Sequence, residues 1–147
     1  MNTSIDAFLA GDKPQHVAAY FSNASLSDPE TLAEQPYAEA ADNGVRMVVP
    51  ADAGRAAFES ATRMDPMDFA GEAMGTEGAI TGGLTEGECP GAAEGGEHDL
   101  RIVFSFAEAQ NEEAGGLYAA GDVIHAYAQC SCGVAYSDKW LAGEREA

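Results

Sequence analysis

Three cysteines and three histidines are the side chains of this 147-residue chain with the most versatile chemistry. Cys130 and Cys132 bracket a single serine in QCSCGVAY, and Gly133 follows them. A glycine directly after the second thiolate suits a tight metal-binding turn, because it tolerates positive φ and lets backbone N–H groups point at sulfur. The spacing is one residue shorter than the common C-x-x-C-G knuckle, so the motif is less specific than that one. Cys89 adds a third thiol in another turn-like setting, after Glu88 and before Pro90-Gly91.

A tetrahedral structural zinc needs four donors, and an imidazole would complete a Cys₃His set. Two histidines lie near enough in sequence. If residues 122–129 form a regular strand, Ile124, Ala126 and Ala128 share a face with Cys130, while His125, Tyr127 and Gln129 point the other way. His125 then reads as a satisfied strand histidine. His98 lies in the same loop as Cys89, free of that alternation, so the predicted metal set is Cys89, His98, Cys130 and Cys132 with zinc as the ion. Other readings of the thiols stay open. Buried cysteine also serves as a small apolar residue, and Cys130 or Cys132 could be a reactive or redox thiol. A disulfide could join Cys89 to one of the other two, whereas a Cys130–Cys132 bridge would close a strained small ring.

Other motifs carry less. GTEGAITGG at 75–83 is glycine-rich but follows a predicted helix and lacks the GK[ST] ending of a phosphate loop. Asp65, Asp68 and Glu72 line a helix start, where carboxylates favour the positive end of the dipole. Asn111, Glu112, Glu113 and Asp122 read as a solvated turn in preference to a cation site. No nucleophile elbow, no H-E-x-x-H and no serine–histidine pairing occurs, so nothing compels an enzyme.

These residues need a scaffold to bring them together. Ser4 can start a short helix with Ile5, Phe8 and Leu9 on one side and Gly11 as its stop. HVAAYFS at 16–22 reads as a first strand, and Pro29 marks a short helix at 28–35. Asp42-Asn43-Gly44 is a strong turn signal, placing a strand at 45–49 against 37–41. Asp52 is the predicted N-cap of a helix at 53–62, and Asp65-Pro66 opens another. Residues 76–99 read as a long Gly/Glu-rich loop. Three clear strands follow at 100–106, 122–128 and 133–140, most simply an antiparallel meander. The predicted fold is therefore α+β and a single domain, 1–147. Short helices, mainly from the first half, pack on one face of a mostly antiparallel sheet formed largely by the second half.

Charge sets the solvent. Twenty-five acidic residues against seven basic ones give a formal charge of −18. Such self-repulsion opposes compaction in dilute buffer, but at 1 M ionic strength the Debye length is only about 3 Å. The composition reads as salt-adapted. Ile, Leu, Val and Phe number only 24, a level that by itself signals disorder. Their gathering into VRMVV, RIVFSF and DVIHAYA argues instead for a folded, modest, alanine-rich core. No apolar run reaches the ~20 residues of a membrane span, and the start MNTSIDAFLAGDKPQ lacks the basic and apolar regions of a signal peptide. The seven cations are scattered, whereas nucleic-acid binding needs a cluster. The expected protein is cytoplasmic, with neither nucleic acid nor membrane as partner.

The strings FAEAQNEEAGGLYAAGDVIHAYAQCSCGVAYSDKW, VRMVVPADAGRAAFESATRMDPMDFAGEAMGTEG and IDAFLAGDKP resemble a family of small acidic proteins of halophilic archaea, known as a domain of unknown function. The resemblance implies a halophilic, archaeal, cytoplasmic setting and transfers no activity. The functional expectation is a salt-adapted binding or interaction protein with a structural zinc, acting on a protein partner. Its rivals are a thiol-dependent redox or nucleophilic enzyme using Cys130 or Cys132, and a structural partner protein without a ligand.

Overall fold

Alternation along the strands divides the apolar residues between two cores, one on each face of a single sheet. The computed structural model describes residues 4–13, 15–26, 30, 32, 34–35, 38–41, 43–81, 84–91 and 98–144. Strand β1 (His16–Ser22) sends Val17, Ala19 and Phe21 to one core and Ala18 and Tyr20 to the other, as the period of two requires. The chain continues through β2 (Ala38–Ala41), β3 (Gly44–Pro50), β4 (Ala79–Thr81), β5 (Glu86–Glu88), β6 (Leu100–Glu108), β7 (Val123–Cys130) and β8 (Ala135–Leu141). Six of these form one sheet in the order β2-β3-β1-β6-β7-β8, with every neighbouring pair antiparallel. The strand after the Asn43-Gly44 turn and the β6-β7-β8 meander both follow the sequence prediction.

Helices α2 (Ala51–Thr62) and α3 (Pro66–Ala73) cover one face. The Phe58 ring sits 5.2 Å from Phe104, 5.5 Å from Phe69 and 6.2 Å from Phe21, centroid to centroid. A side chain at Gly54 would strike Val17, so glycine lets α2 lie close on β1. Helix α1 (Ser4–Leu9) packs Ile5, Phe8 and Leu9 on the opposite face with Ala18, Tyr20 and Val48. The α+β class stands as predicted, and the two longest described helices share a face. The other face is covered by α1 and a small antiparallel hairpin of β4 and β5.

Asp65 caps α3 as expected, accepting from the N–H groups of Met67 (2.8 Å) and Asp68 (3.2 Å). Asp52 does not cap α2. The helix begins at Ala51, two residues before the predicted start, and Asp52 instead accepts from Arg55 at 2.8 Å. The physical reason is that the Ala51 N–H is already satisfied by the Gln15 carbonyl at 3.0 Å, so the entry to α2 is tied to the start of β1 without a side-chain cap. The predicted loop at 76–99 is also corrected, since it carries β4 and β5. Residues 92–97 of that stretch, and most of the predicted helix at 28–35, lie outside the described residues. No described helix is long and apolar enough to cross a membrane.

Candidate metal centre

Three segments that are distant in sequence converge where β7 ends. Cys130 is the last residue of β7 and points into the core shared with Ile124, Ala126 and Ala128. The chain then turns. The Gly133 N–H donates to the Cys130 carbonyl at 2.9 Å and the Cys130 N–H to Val134 at 2.9 Å, with Gly133 at φ 98°. This left-handed conformation is the one that glycine adopts without penalty, and it leaves Cys132 exposed at the turn.

His98 arrives by way of its neighbour. The Ser131 N–H donates to the Asp99 carbonyl at 2.8 Å, and the Asp99 N–H donates back to Ser131 Oγ at 3.1 Å. The residue after His98 is thus fastened to the residue between the two cysteines. Cys89 arrives on the hairpin. Gly78 and Gly87 lie directly against the buried Tyr136, and a side chain at either would strike its ring or hydroxyl. Their bareness lets the hairpin settle on β8, helped by Asp138, which accepts from the Ile80 N–H at 3.1 Å. Cys89 follows β5 directly.

The donor atoms of Cys89, His98, Cys130 and Cys132 all lie within 4.8 Å of one another. Zinc bonds of ~2.3 Å to sulfur and ~2.0 Å to nitrogen at tetrahedral angles imply sulfur–sulfur edges of about 3.8 Å and sulfur–nitrogen edges of about 3.5 Å. Two opposite edges have these lengths. Cys89 Sγ is 3.7 Å from Cys132 Sγ, and Cys130 Sγ is 3.6 Å from His98 Nδ1. All three thiols are free of disulfides.

Electrostatics separate two of the thiols. The Val134 N–H aimed at Cys132, with smaller help from Cys130, Cys89 and His98, lowers the Cys132 thiol to about 7. Burial pushes the Cys89 thiol up to about 11, against the Gly91 N–H that points at it from 3.4 Å. Both sulfurs therefore face the N–H two residues onward, the arrangement that the Gly133 motif suggested at one of them. Burial first, and the adjacent thiols second, keep Tyr136 a neutral phenol. A cation entering this cluster would displace thiol protons and relieve the crowding of sulfur on sulfur.

Residues 38–143 match a family of unknown function, DUF5807. The chain belongs to the DUF5807 family. All four donors fall inside the DUF5807 span, whereas α1 and β1 precede it. No curated protein and no solved structure matches the chain.

His125 lies outside the cluster, on the opposite face, as strand alternation predicts. Its Nε2 is 3.0 Å from Glu108 Oε1, and its ring stacks with Phe106 at 5.2 Å and Tyr118 at 5.9 Å. Burial lowers its pKa, and Glu108 partly opposes this. Beside it is a cavity of about 410 Å³ lined by Met74, Tyr118, Tyr127, Ser137 and Lys139. No sequence pattern marks that cavity, because Tyr118 belongs to a four-residue helix, α4 (Leu117–Ala120), inside the acidic connection. Two of the side chains considered for that turn are engaged locally: the Asp122 carboxylate accepts from the Gln110 N–H at 2.8 Å and the Asn111 amide oxygen from the Glu113 N–H at 3.1 Å.

Proposed function

We propose that this DUF5807 protein is a salt-adapted binding protein in which one structural zinc ion, held by Cys89, His98, Cys130 and Cys132, fastens the hairpin and the start of β6 to the β7–β8 turn. The observation that carries the reading is the convergence of three sulfurs and one imidazole within 4.8 Å. Thiolate and imidazole select a borderline-soft ion such as zinc, whereas calcium and magnesium require oxygen donors. Four protein donors fill a tetrahedral shell, which is the signature of a structural site and not of a catalytic one with an open position. Free thiols at this density suit a reducing, cytoplasmic compartment. The scattered cations favour a protein partner over nucleic acid.

Protein purified without chelator is expected to carry close to one zinc per chain by elemental analysis. Its native mass should fall by one zinc on treatment with a strong chelator. A reduced chain that neither carries zinc nor takes it up on addition would overturn the reading. Salt adaptation is tested separately. The charge of −18 is expected to confine cooperative folding to roughly molar KCl, where screening is nearly complete. A sharp thermal transition retained in millimolar salt would refute that part.

A further inference from the structure

The four donors are not equivalent, and their asymmetry has a chemical consequence. Cys132 is exposed, whereas Cys89 and Cys130 are buried. The Cys132 sulfur is in van der Waals contact with that of Cys89 at 3.7 Å, while Cys130 faces His98 across the opposite edge. We propose that Cys132 is a peroxide-reactive site whose oxidation joins it to Cys89 as a disulfide and expels the zinc. This inference rests on the zinc reading of the same cluster.

The geometry selects this pair. A disulfide between Cys130 and Cys132 would close a strained ring across one intervening residue, whereas Cys89 and Cys132 are 43 residues apart and approach through space. Bond formation at ~2.05 Å requires the sulfurs to close by about 1.7 Å. The exposed Cys132 side chain has the freedom to rotate toward Cys89, whereas Cys89 and Cys130 are buried. Cys130 cannot follow as easily, because its backbone is held at the end of β7 by the bonds to Val134 and Gly133.

The chemistry balances with a hydroperoxide as oxidant. The Cys132 thiolate attacks the O–O bond of hydrogen peroxide, becomes a sulfenic acid and releases hydroxide, which a proton converts to water. The Cys89 thiolate then attacks that sulfur, forms the S–S bond and expels a second hydroxide, again taken up as water. Two thiolates lose two electrons and one peroxide gains them. Zinc retains only Cys130 and His98, too few donors for a closed tetrahedral site, and dissociates.

The test uses the full-length, zinc-loaded, reduced chain in molar salt, exposed to hydrogen peroxide with a chromogenic zinc chelator present. The expected result is release of one zinc per chain in step with a mass loss of two hydrogens. Fragmentation of the cross-linked peptide should place the bond between Cys89 and Cys132, with Cys130 still alkylatable, and dithiothreitol plus zinc should restore the starting state. A bond that includes Cys130, irreversible over-oxidation of Cys132 without a cross-link, or zinc retained after oxidation would each overturn the proposal. The metal-free chain is oxidised in parallel to separate the two readings. If zinc binds but no Cys89–Cys132 bond forms in either sample, the switch fails and the metal centre stands. If no zinc ever binds, the metal reading fails, and with it the zinc-release step, whatever bond forms.

Discussion

The two faces of the sheet are held by different physics. On the α2–α3 face, Phe21, Phe58, Phe69, Phe104 and Tyr127 bury large rings against one another. On the other face, toward the end of β7, Tyr136, alanines, two thiols and a hairpin whose main apolar residues are Ile80 and Leu84 fill the space. The first region is stabilised by burial of apolar area at ~25 cal/mol per Å². The second buries apolar side chains as well and adds four residues that could hold a metal ion. The two histidines in this part of the fold mark the contrast: His98 joins the thiols, whereas His125 joins rings and a carboxylate. In a chain short of large aliphatic residues, a metal held there would add a cross-link to what packing supplies.

The sharpest way to break that contrast is to remove a thiol. Cys130→Ser or Cys132→Ser should abolish stoichiometric zinc, since structural sites of this kind contribute on the order of 10 kcal/mol in zinc-finger peptides. His98→Ala should weaken zinc by more than the ~10–100-fold that follows loss of an outer-shell partner. His125→Ala should leave zinc content unchanged by elemental analysis. Equal zinc loss from the two histidine variants would refute the assignment of faces.

The packed face is tested next. Phe104→Ala should cost ~3–5 kcal/mol in denaturant unfolding at high salt, and by a similar amount with or without bound zinc. Glu112→Ala, in the exposed connection, should be nearly silent. An equal stability of the two variants would contradict the aromatic core.

A smaller effect is expected where the hairpin meets β8. Gly87→Ala places a methyl group against the Tyr136 hydroxyl, and such overpacking typically costs ~1–3 kcal/mol. Because it lifts Cys89 away from the turn, zinc affinity should fall while the α2–α3 face keeps its near-ultraviolet signal. Unchanged zinc affinity would show that the hairpin's seating on Tyr136 does not position Cys89.

The smallest effect is a pH dependence. Burial lowers the folded-state pKa of His125 below its ordinary value of 6.5, with Glu108 opposing and Lys139 reinforcing the shift. The unfolded chain therefore binds this proton first as pH falls, so stability should decline from about pH 6.5 downward and be insensitive to His125 above it. Replacing His125 with Phe keeps a ring in the stack and should flatten that slope. A slope that survives His125→Phe unaltered would assign it to other groups.

Much of the fold was legible because the strands announce themselves. The blocks VRMVV and RIVFSF fall within β3 and β6, VIHAYA falls within β7, and parity along β7 alone separates Cys130 from His125. The start of α2 was misplaced by Asp52, because the Ala51 bond to Gln15 is a long-range contact that no local cap rule contains. The β4–β5 hairpin was hidden for a similar reason. AIT and EGE alternate weakly around glycines, and what fixes them is Tyr136, some fifty residues further on. The Ile80-Thr81 pair ahead of a Gly-Gly dipeptide was the signal available in the sequence.

By itself the sequence determined the donor types, the turn at Gly133 and the face on which each residue of β7 lies, because side-chain period and glycine conformation are local properties. It also determined the formal charge of −18. Only the tertiary structure decided that Cys89 meets Cys132, that Ser131 and Asp99 lock His98 beside Cys130, and that an aromatic cavity forms around His125 on the far side. Those outcomes depend on contacts between segments tens of residues apart, set by how closely a bare glycine hairpin can approach a buried tyrosine.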